Sequence, residues 1–590
     1  MIRLPSSPPD FSQVPRWLQD IRLEQPRWQK SRWAIVVASV LSFVLVVSLY
    51  QSAPESSTVH LASEVHAVEA SALPYPEAAH ELWRALLPLL EAAAPGVPSP
   101  GIDPHAESNY WEAFVDKELR DTAEMSHLNV LKMAQAHAVF MEGLPKLPPY
   151  TPTQDASRRG IVTVAGGDYM PAAVVSLRML RRTGSTLPVE IWMADESEYE
   201  PTLCEEVFPS MNAQCRTLSD IFHPVNTTTT QSQTITHFQY KIFAILFSSF
   251  TEVLFLDSDS FPLHDPAPLF TSPPYTTTNM LTWPDLWSTS ISPIYYTLTH
   301  QTSPPLISTR ASTESGQLLI NKSTHLPTLF LAAYYNYYGP SHFYILLCEG
   351  GYGRGDKSTF LPAAILLNQT FYDVAERPRS IGQEWDWLNT MALLQFDPMA
   401  DYNLTSHGIW RSKLHKEDRL ARERNGSLII PAVLFLHAND PKWNPAKLFK
   451  TGEKSGHGFK NDPTKNKDGK NSWAFLDPKP NVRLVDGVEL KLWEEARWVA
   501  CELEDKVVAW QGQTGICEGV RNWFVEFLDT EEAERQRLAL WVDDDGLEEG
   551  EENKQEEEEG EKDGDSVTGF QAVDALGKAK LGKGDDEQVT

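Results

Sequence analysis

Two carboxylates, Asp257 and Asp259, stand one residue apart at the end of the apolar run Glu252-Val253-Leu254-Phe255-Leu256. Two such groups held close together repel each other and lose hydration, so they need a cation. A hard divalent ion with oxygen ligands, Mg²⁺ or Mn²⁺, suits them, and that ion would in turn hold phosphates. The run of β-formers before them reads as a buried strand. Such a strand stops at the carboxyl edge of a sheet, where open α/β folds bind ligands. Acidic turns at strand ends are common, so the tripeptide alone leaves a structural role open.

Other elements must bring a ligand to that edge. Gly160 to Val164 reads as a first strand, followed by a turn at Gly166-Gly167 and a helix over Met170 to Arg182. A glycine turn before a helix lets backbone N–H groups approach a nucleotide. The spacing matches neither a dinucleotide fingerprint nor a Walker loop, and a plain tight turn is the alternative. On the helix, Arg178 is a candidate for a phosphate or ribose, with a solvated arginine as the alternative. Lys241 opens the apolar helix leading to the acidic strand and is placed to neutralise a diphosphate, or is an ordinary helix-start cation. From about Gly160 to 540, strands and helices alternate, which predicts an α/β domain.

Residues 33–50 carry no charge and are rich in Val, Ile and Leu, near the lower limit for a membrane-spanning helix. Six Lys or Arg precede them, and none follows until Arg84. This predicts an uncleaved signal anchor with residues 1–32 in the cytosol and the rest across the membrane. Five Asn-x-Ser/Thr sequons, starting at Asn226, Asn321, Asn368, Asn403 and Asn425, are compatible with a luminal chain. Cys204 with Cys215, and Cys501 with Cys517, are each placed to close a short loop, which leaves Cys348 over.

Residues 51–105 read as a stem with a helical patch around Glu77 to Ala94, and 106–157 as a helical neck. The catalytic domain is expected over 158–540. Residues 450–471 hold six lysines, read as a solvated loop. Residues 541–590 form an acidic tail; 543–565 hold fourteen acids and two lysines, so they supply −12 of the net charge of −29 and are expected to stay disordered. Without the tail the chain is mildly acidic, and no basic stripe suggests nucleic acid.

The segment Gly160 to Leu187 resembles the fungal Golgi α-mannosyltransferase family that builds mannan side chains. So do Val253 to Phe270, Ser312 to Gln317, Gly355 to Leu361 and Phe435 to Asn439, in the family's order. The resemblance covers about 158 to 450. It implies a GT-A-type fold, GDP-mannose as donor, Mn²⁺ (or Mg²⁺), and a single-pass type II Golgi membrane protein with a luminal catalytic domain. It implies a retaining transfer of mannose to a mannose-terminated glycan, closest to the α-1,2 branch; the α-1,3 branch shares these motifs, and a non-catalytic luminal glycan-binding protein is the alternative class. Partnership in a complex of Golgi transferases is compatible with it.

Carried onto this chain, the resemblance makes Asp257 and Asp259 the metal-diphosphate pair, with His437 as third ligand; a strand-end histidine is the alternative. Trp283 and Asp285 are expected to wall the sugar site, with a core tryptophan as the alternative. Glu314 and Gln317, before a strand over Leu318 to Asn321, suit the mannose hydroxyls, and Glu314 is also a candidate catalytic carboxylate; a strand-end cap is the alternative. Asp356 either contacts the donor sugar or acceptor, or caps a helix over Lys357 to Leu367.

Overall fold

The computed structural model describes residues 75–102, 119, 122–149, 158–222, 234–301, 310–348, 355–381, 384–385, 388–389, 392–407, 431–438, 442–448 and 488–525. The expected cytosolic tail, membrane anchor, lysine-rich stretch and acidic tail lie outside the described residues, as do the sequons at Asn226 and Asn425. Among the described residues no helix is long and apolar enough to cross a membrane.

Among the described residues, eleven strands build the two larger sheets: β1 (Arg159–Val164), β2 (Val189–Met193), β3 (Ala213–Thr217), β4 (Glu252–Leu256), β5 (Ser260–Pro262), β6 (Met280–Ser288), β7 (Ala311–Asn321), β8 (Tyr372–Asp373), β9 (Arg379–Ile381), β10 (Ala392–Phe396) and β11 (Val433–His437). The helices that matter for the packing, among the described residues, are α1 (Glu77–Ala92), α2 (His127–Gly143), α3 (Met170–Arg182), α4 (Gln239–Phe247), α5 (Lys322–Tyr337), α6 (Phe360–Leu366), α7 (Val488–Leu503) and α8 (Ile516–Trp523). The larger sheet has seven strands in the order β8-β6-β7-β4-β1-β2-β3. Its β4-β1-β2-β3 part is parallel, and β7 runs antiparallel to both neighbours. Parallel neighbours need a crossover, which α3 supplies between β1 and β2, while α4 lies in the connection that returns from β3 at the sheet's edge to β4 on the far side of β1. The smaller sheet, β9-β10-β11-β5, is antiparallel. The chain is thus a mixed α/β fold.

Side chains alternate across the larger sheet because the strand period is two. Ile161, Leu254, Leu256 and Leu319 face a core shared with α3, α7 and α8. Val162, Val253, Phe255, Leu318 and Ile320 face a second core with α1, α2, α4 and α5. With both faces covered, the strands read as continuous apolar runs.

Helix α1 falls in the stretch expected as a stem, yet it is part of this second core. Ala79, Trp83, Leu86 and Leu90 recur at helical spacing on its buried face. The Trp83 ring lies 4.9 Å from that of Phe222 and 5.6 Å from that of Phe243. The hydroxyls of Tyr338 and Tyr334 donate to the carbonyls of Leu90 and Ala93 at 2.9 and 3.0 Å. A stem that buries a tryptophan does not stand apart from its domain.

Three local expectations change. Glu314 to Gln317 lie inside β7 rather than before it. Asp356 begins a short 3₁₀ turn, Asp356–Ser358, and does not cap α6. The sequon residue Asn321 is buried: its side chain caps α5 by accepting from the N–H of Ser323 at 2.9 Å and donates to Asn279 at 3.1 Å. A glycan has no room there, whereas Asn368 and Asn403 are exposed. Disulfides join Cys204 to Cys215 and Cys501 to Cys517, and Cys348 is a buried thiol.

Candidate metal centre

β4 ends at Leu256 and β5 begins at Ser260, so Asp257-Ser258-Asp259 is the turn that carries the chain from the larger sheet to the smaller one. The backbone pins it. The N–H of Asp257 donates to the Gly316 carbonyl at 2.9 Å, and the N–H of Ala438 donates to the Asp259 carbonyl at 2.8 Å. β11 pairs with β5 so that His437 stands opposite Ser260. This register brings His437 to the turn, with Nε2 3.3 Å from Oδ1 of Asp259 and 4.0 Å from Oδ2 of Asp257. Ligand atoms of the three residues all lie within 4.8 Å of one another.

The imidazole is held from behind. Its Nδ1 lies 3.4 Å from Oε1 of Glu314. That contact is an ion pair without hydrogen-bond alignment, since Nδ1 makes no hydrogen bond among the described residues. Glu314 Oε1 itself accepts from the N–H of Gly316 at 2.7 Å. A Cβ at Gly316 would sit 2.6 Å from Cε1 and 2.7 Å from Nδ1 of the His437 ring. Gly316→Ala is therefore expected to push the rigid ring off the carboxylates and weaken Mn²⁺ binding roughly tenfold or more. Calorimetric Mn²⁺ titration beside a thermal melt checks this; unchanged affinity would show that the ring adapts.

Protein cations hold the carboxylates. Lys241, buried, places Nζ 3.1 Å from Oδ1 of Asp257 and 3.1 Å from Oδ2 of Asp356. It also donates to the carbonyl and hydroxyl of Ser315 at 2.8 and 3.0 Å. Lys442 pairs with Oδ2 of Asp259. Lys357 pairs with Oδ2 of the buried Asp285 at 2.9 Å.

The protonation states follow from these neighbours. Burial opposes the charge on Lys241, yet Asp257 and Asp356 hold its pKa well above the usual lysine range. Burial likewise opposes the charge on His437, but Glu314 and Asp259 push its pKa up to about 10. Glu314 is held down to about 2, because His437 and the Gly316 N–H outweigh its burial. Asp259 is held well below the usual range by Lys442 and His437 against its burial. Asp257 is pushed up by burial, with Lys241 pulling against it.

These residues fit a divalent cation. Two carboxylates and an imidazole suit Mn²⁺, with Mg²⁺ served by the carboxylates. The imidazole has an orienting carboxylate behind it, as metal-ligating histidines generally do. His437 would surrender its proton on binding, so affinity would fall with pH.

The other expected site residues are placed as follows. Lys241, Glu314 and Asp356 join the cluster. Gln317 is fully buried below it, donating to the Ser260 hydroxyl at 2.6 Å, so it ties β7 to β5 rather than reaching a sugar. Asp285 belongs to the buried pair with Lys357. Trp283 is a core residue and not a wall of the site: it is fully buried, donates Nε1–H to the Phe396 carbonyl at 2.9 Å and meets the Phe435 ring edge-on. Arg178 does not face the site either. Its guanidinium pairs with Glu495 on α7 and lies 3.8 Å from the Trp498 ring, because α3 turns that face toward α7. Gly167 has φ +50°, the left-handed region, with open space beside it. At Gly166 a Cβ would meet the Glu198 carboxylate at 2.3 Å, so this glycine makes room for a side chain of the protein.

Lys442 and the space role of Gly316 are absent from the sequence reading. A lysine in Lys442-Trp443-Asn444, five residues after a candidate ligand, was the available signal.

Residues 158–312 and 306–397 match the mannosyltransferase family Mannosyl_trans3. The chain is 32% identical over 427 residues to α-1,2-mannosyltransferase MNN24 of Candida albicans, covering 63% of this chain and 58% of that protein. It is 30% identical over 390 residues to α-1,2-mannosyltransferase MNN2 of Saccharomyces cerevisiae, covering 57% of this chain and 64% of that one. The chain therefore spans about three fifths of these relatives' lengths. Among solved structures, the galactosyltransferase LgtC with donor and acceptor sugar analogs aligns with 51% of this chain and 92% of its own at 16% identity, with a TM-score of 0.27. Residues 158–397, which hold Asp257, Asp259 and Glu314 in the order β4, turn, β7, are thus similar to a mannosyltransferase family and to fungal α-1,2-mannosyltransferases.

Proposed function

We propose that this chain is a divalent-cation-dependent, retaining α-1,2-mannosyltransferase of GT-A type. It moves mannose from GDP-mannose to a mannose hydroxyl of a glycan. The observation that carries the reading is the convergence of Asp257, Asp259 and His437 at the junction of two sheets, the two aspartates lying within the region that matches a mannosyltransferase family. The names of the relatives support the α-1,2 linkage. The basic residues before 33–50 support a type II Golgi topology with the site in the lumen.

Asp257, Asp259 and His437 would hold the cation. When bound, a divalent cation supplies electrostatic stabilisation to a departing diphosphate. Lys241 fixes the Asp257 carboxylate and lets a ligand of high charge density form without a rotamer search. Glu314 is committed to His437 and Gly316, so its role is to orient the imidazole. That leaves Asp356, set by Lys241, as the carboxylate we assign to the donor sugar as it gains oxocarbenium character. Donor and product are both α, so configuration is retained.

The test is turnover by the purified full chain with a panel of sugar nucleotides and α-mannosides, followed by linkage analysis. GDP-mannose consumption that stops on chelation and restarts with Mn²⁺, with an α-1,2 product, is expected. Preference for a uridine donor, an α-1,3 product, or glycan binding without turnover would each replace the corresponding part of this reading.

A further inference from the structure

Asp259 has both carboxylate oxygens engaged by cationic groups of the protein. Oδ1 faces His437 at 3.3 Å, and Oδ2 pairs with Lys442. The two differ in how they are mounted. His437 is on a strand, with its ring packed against Gly316. Lys442 reaches over from a short strap, residues 442–448, whose backbone is fastened independently of the lysine.

The fastening is dense. Trp443 is fully buried, and its ring meets that of Trp493 at 5.2 Å. Asn444 is fully buried as well. It donates to the Asp168 carbonyl at 2.9 Å and accepts from Trp510 Nε1–H at 3.1 Å and from the Ala446 N–H at 3.0 Å. Lys447 closes the strap by pairing with the Asp168 side chain. In contrast, the Lys442 side chain is 38% exposed, with its ammonium 5.9 Å from the Tyr169 ring. The anchor is rigid and the ammonium is on a flexible stem that opens to water, so it can leave Asp259 without disturbing the strap.

We propose that Lys442 is a tethered counter-cation that occupies Asp259 until a divalent ion arrives and competes with that ion for the carboxylate. The inference rests on reading Asp257, Asp259 and His437 as the metal site. The reason is charge: with Lys442 withdrawn, Asp257, Asp259, Glu314 and Asp356 outnumber Lys241 and His437 in one buried cluster. A single ammonium on Asp259 reduces that repulsion in the ion-free protein. A divalent ion supplies more charge at the same oxygens and repels the ammonium, so the two exclude each other. A tethered competitor lowers affinity for the ion.

The test is Mn²⁺ titration, by calorimetry and by loss of the free-ion electron paramagnetic resonance signal, of the full chain and its Lys442→Met, Lys442→Arg and Asp259→Asn variants. Lys442→Met should bind Mn²⁺ roughly tenfold more tightly than wild type. Lys442→Arg, which keeps the charge, should stay near wild type, and Asp259→Asn should bind far more weakly than either. Near-UV circular dichroism establishes that each variant is folded; Lys442→Gln replaces Lys442→Met if that one is not. Equal or weaker Mn²⁺ binding by the neutral variant would overturn the competition while leaving the metal site standing. Absence of Mn²⁺ binding from wild type and neutral variant alike would overturn both.

Discussion

Asp257→Asn and Asp259→Asn should each lower the proposed mannosyl transfer by about 10²-fold or more while leaving the protein folded. Asparagine keeps the shape of the turn and its backbone bonds to Gly316 and Ala438 but removes the charge that a cation needs. The fold tolerates the loss because the partners have other places to go. In Asp257→Asn, Lys241 keeps Asp356 and Ser315. In Asp259→Asn, the exposed stem of Lys442 swings into water, and His437 keeps Glu314. Turnover with GDP-mannose, Mn²⁺ affinity and denaturant midpoint, measured together, check this. Near-normal Mn²⁺-dependent turnover in both variants would mean that the cation sits elsewhere.

Lys241→Met should have the largest effect on stability, a loss of about 3 kcal/mol with activity lost as well. Lys241 is the group that Asp257 and Asp356 share. Methionine fills the space but leaves those carboxylates without their cation. The lower end of the range applies because the Asp257 side chain is 30% exposed. The pH dependence has a definite sign. Lys241 is raised above its ordinary value, so its contribution is complete below the lysine range and constant through neutrality, and is lost only as pH climbs above that range. Asp257 is raised above the ordinary carboxylate value by burial, and losing Lys241 raises it further. A raised carboxyl stabilises when protonated and loses that contribution as pH rises through its folded value. The deficit of Lys241→Met should therefore shrink as pH falls from about 8 to about 5. Chemical denaturation at several pH values reads this directly; a deficit that stays constant or grows on acidification would sink the pairing argument.

The sequence by itself determined the elements and one part of the site. Continuous apolar runs marked β1, β4 and β11, and an acidic pair at the end of a buried run must sit at a sheet edge whatever packs around it. The segment Met170–Arg182 was legible as a helix because its apolar spacing is local information. Cysteines eleven and sixteen residues apart could close loops without help from the rest of the fold.

What only the tertiary structure decided is which face of each element meets which partner. Arg178 and Glu495 are 317 residues apart in sequence, and nothing within α3 says that α7 will cover it. Trp283 sits on a strand with apolar residues on both faces, and the topology puts that ring in the core. Asn321 carries a sequon, but its position at the start of α5 buries it. Asp259 and Lys442 are 183 residues apart. Periodicity reports whether a residue is buried, because burial is a property of one element's face. Charge pairing depends on the distance between two elements, and that distance is set by the order of strands in the sheets.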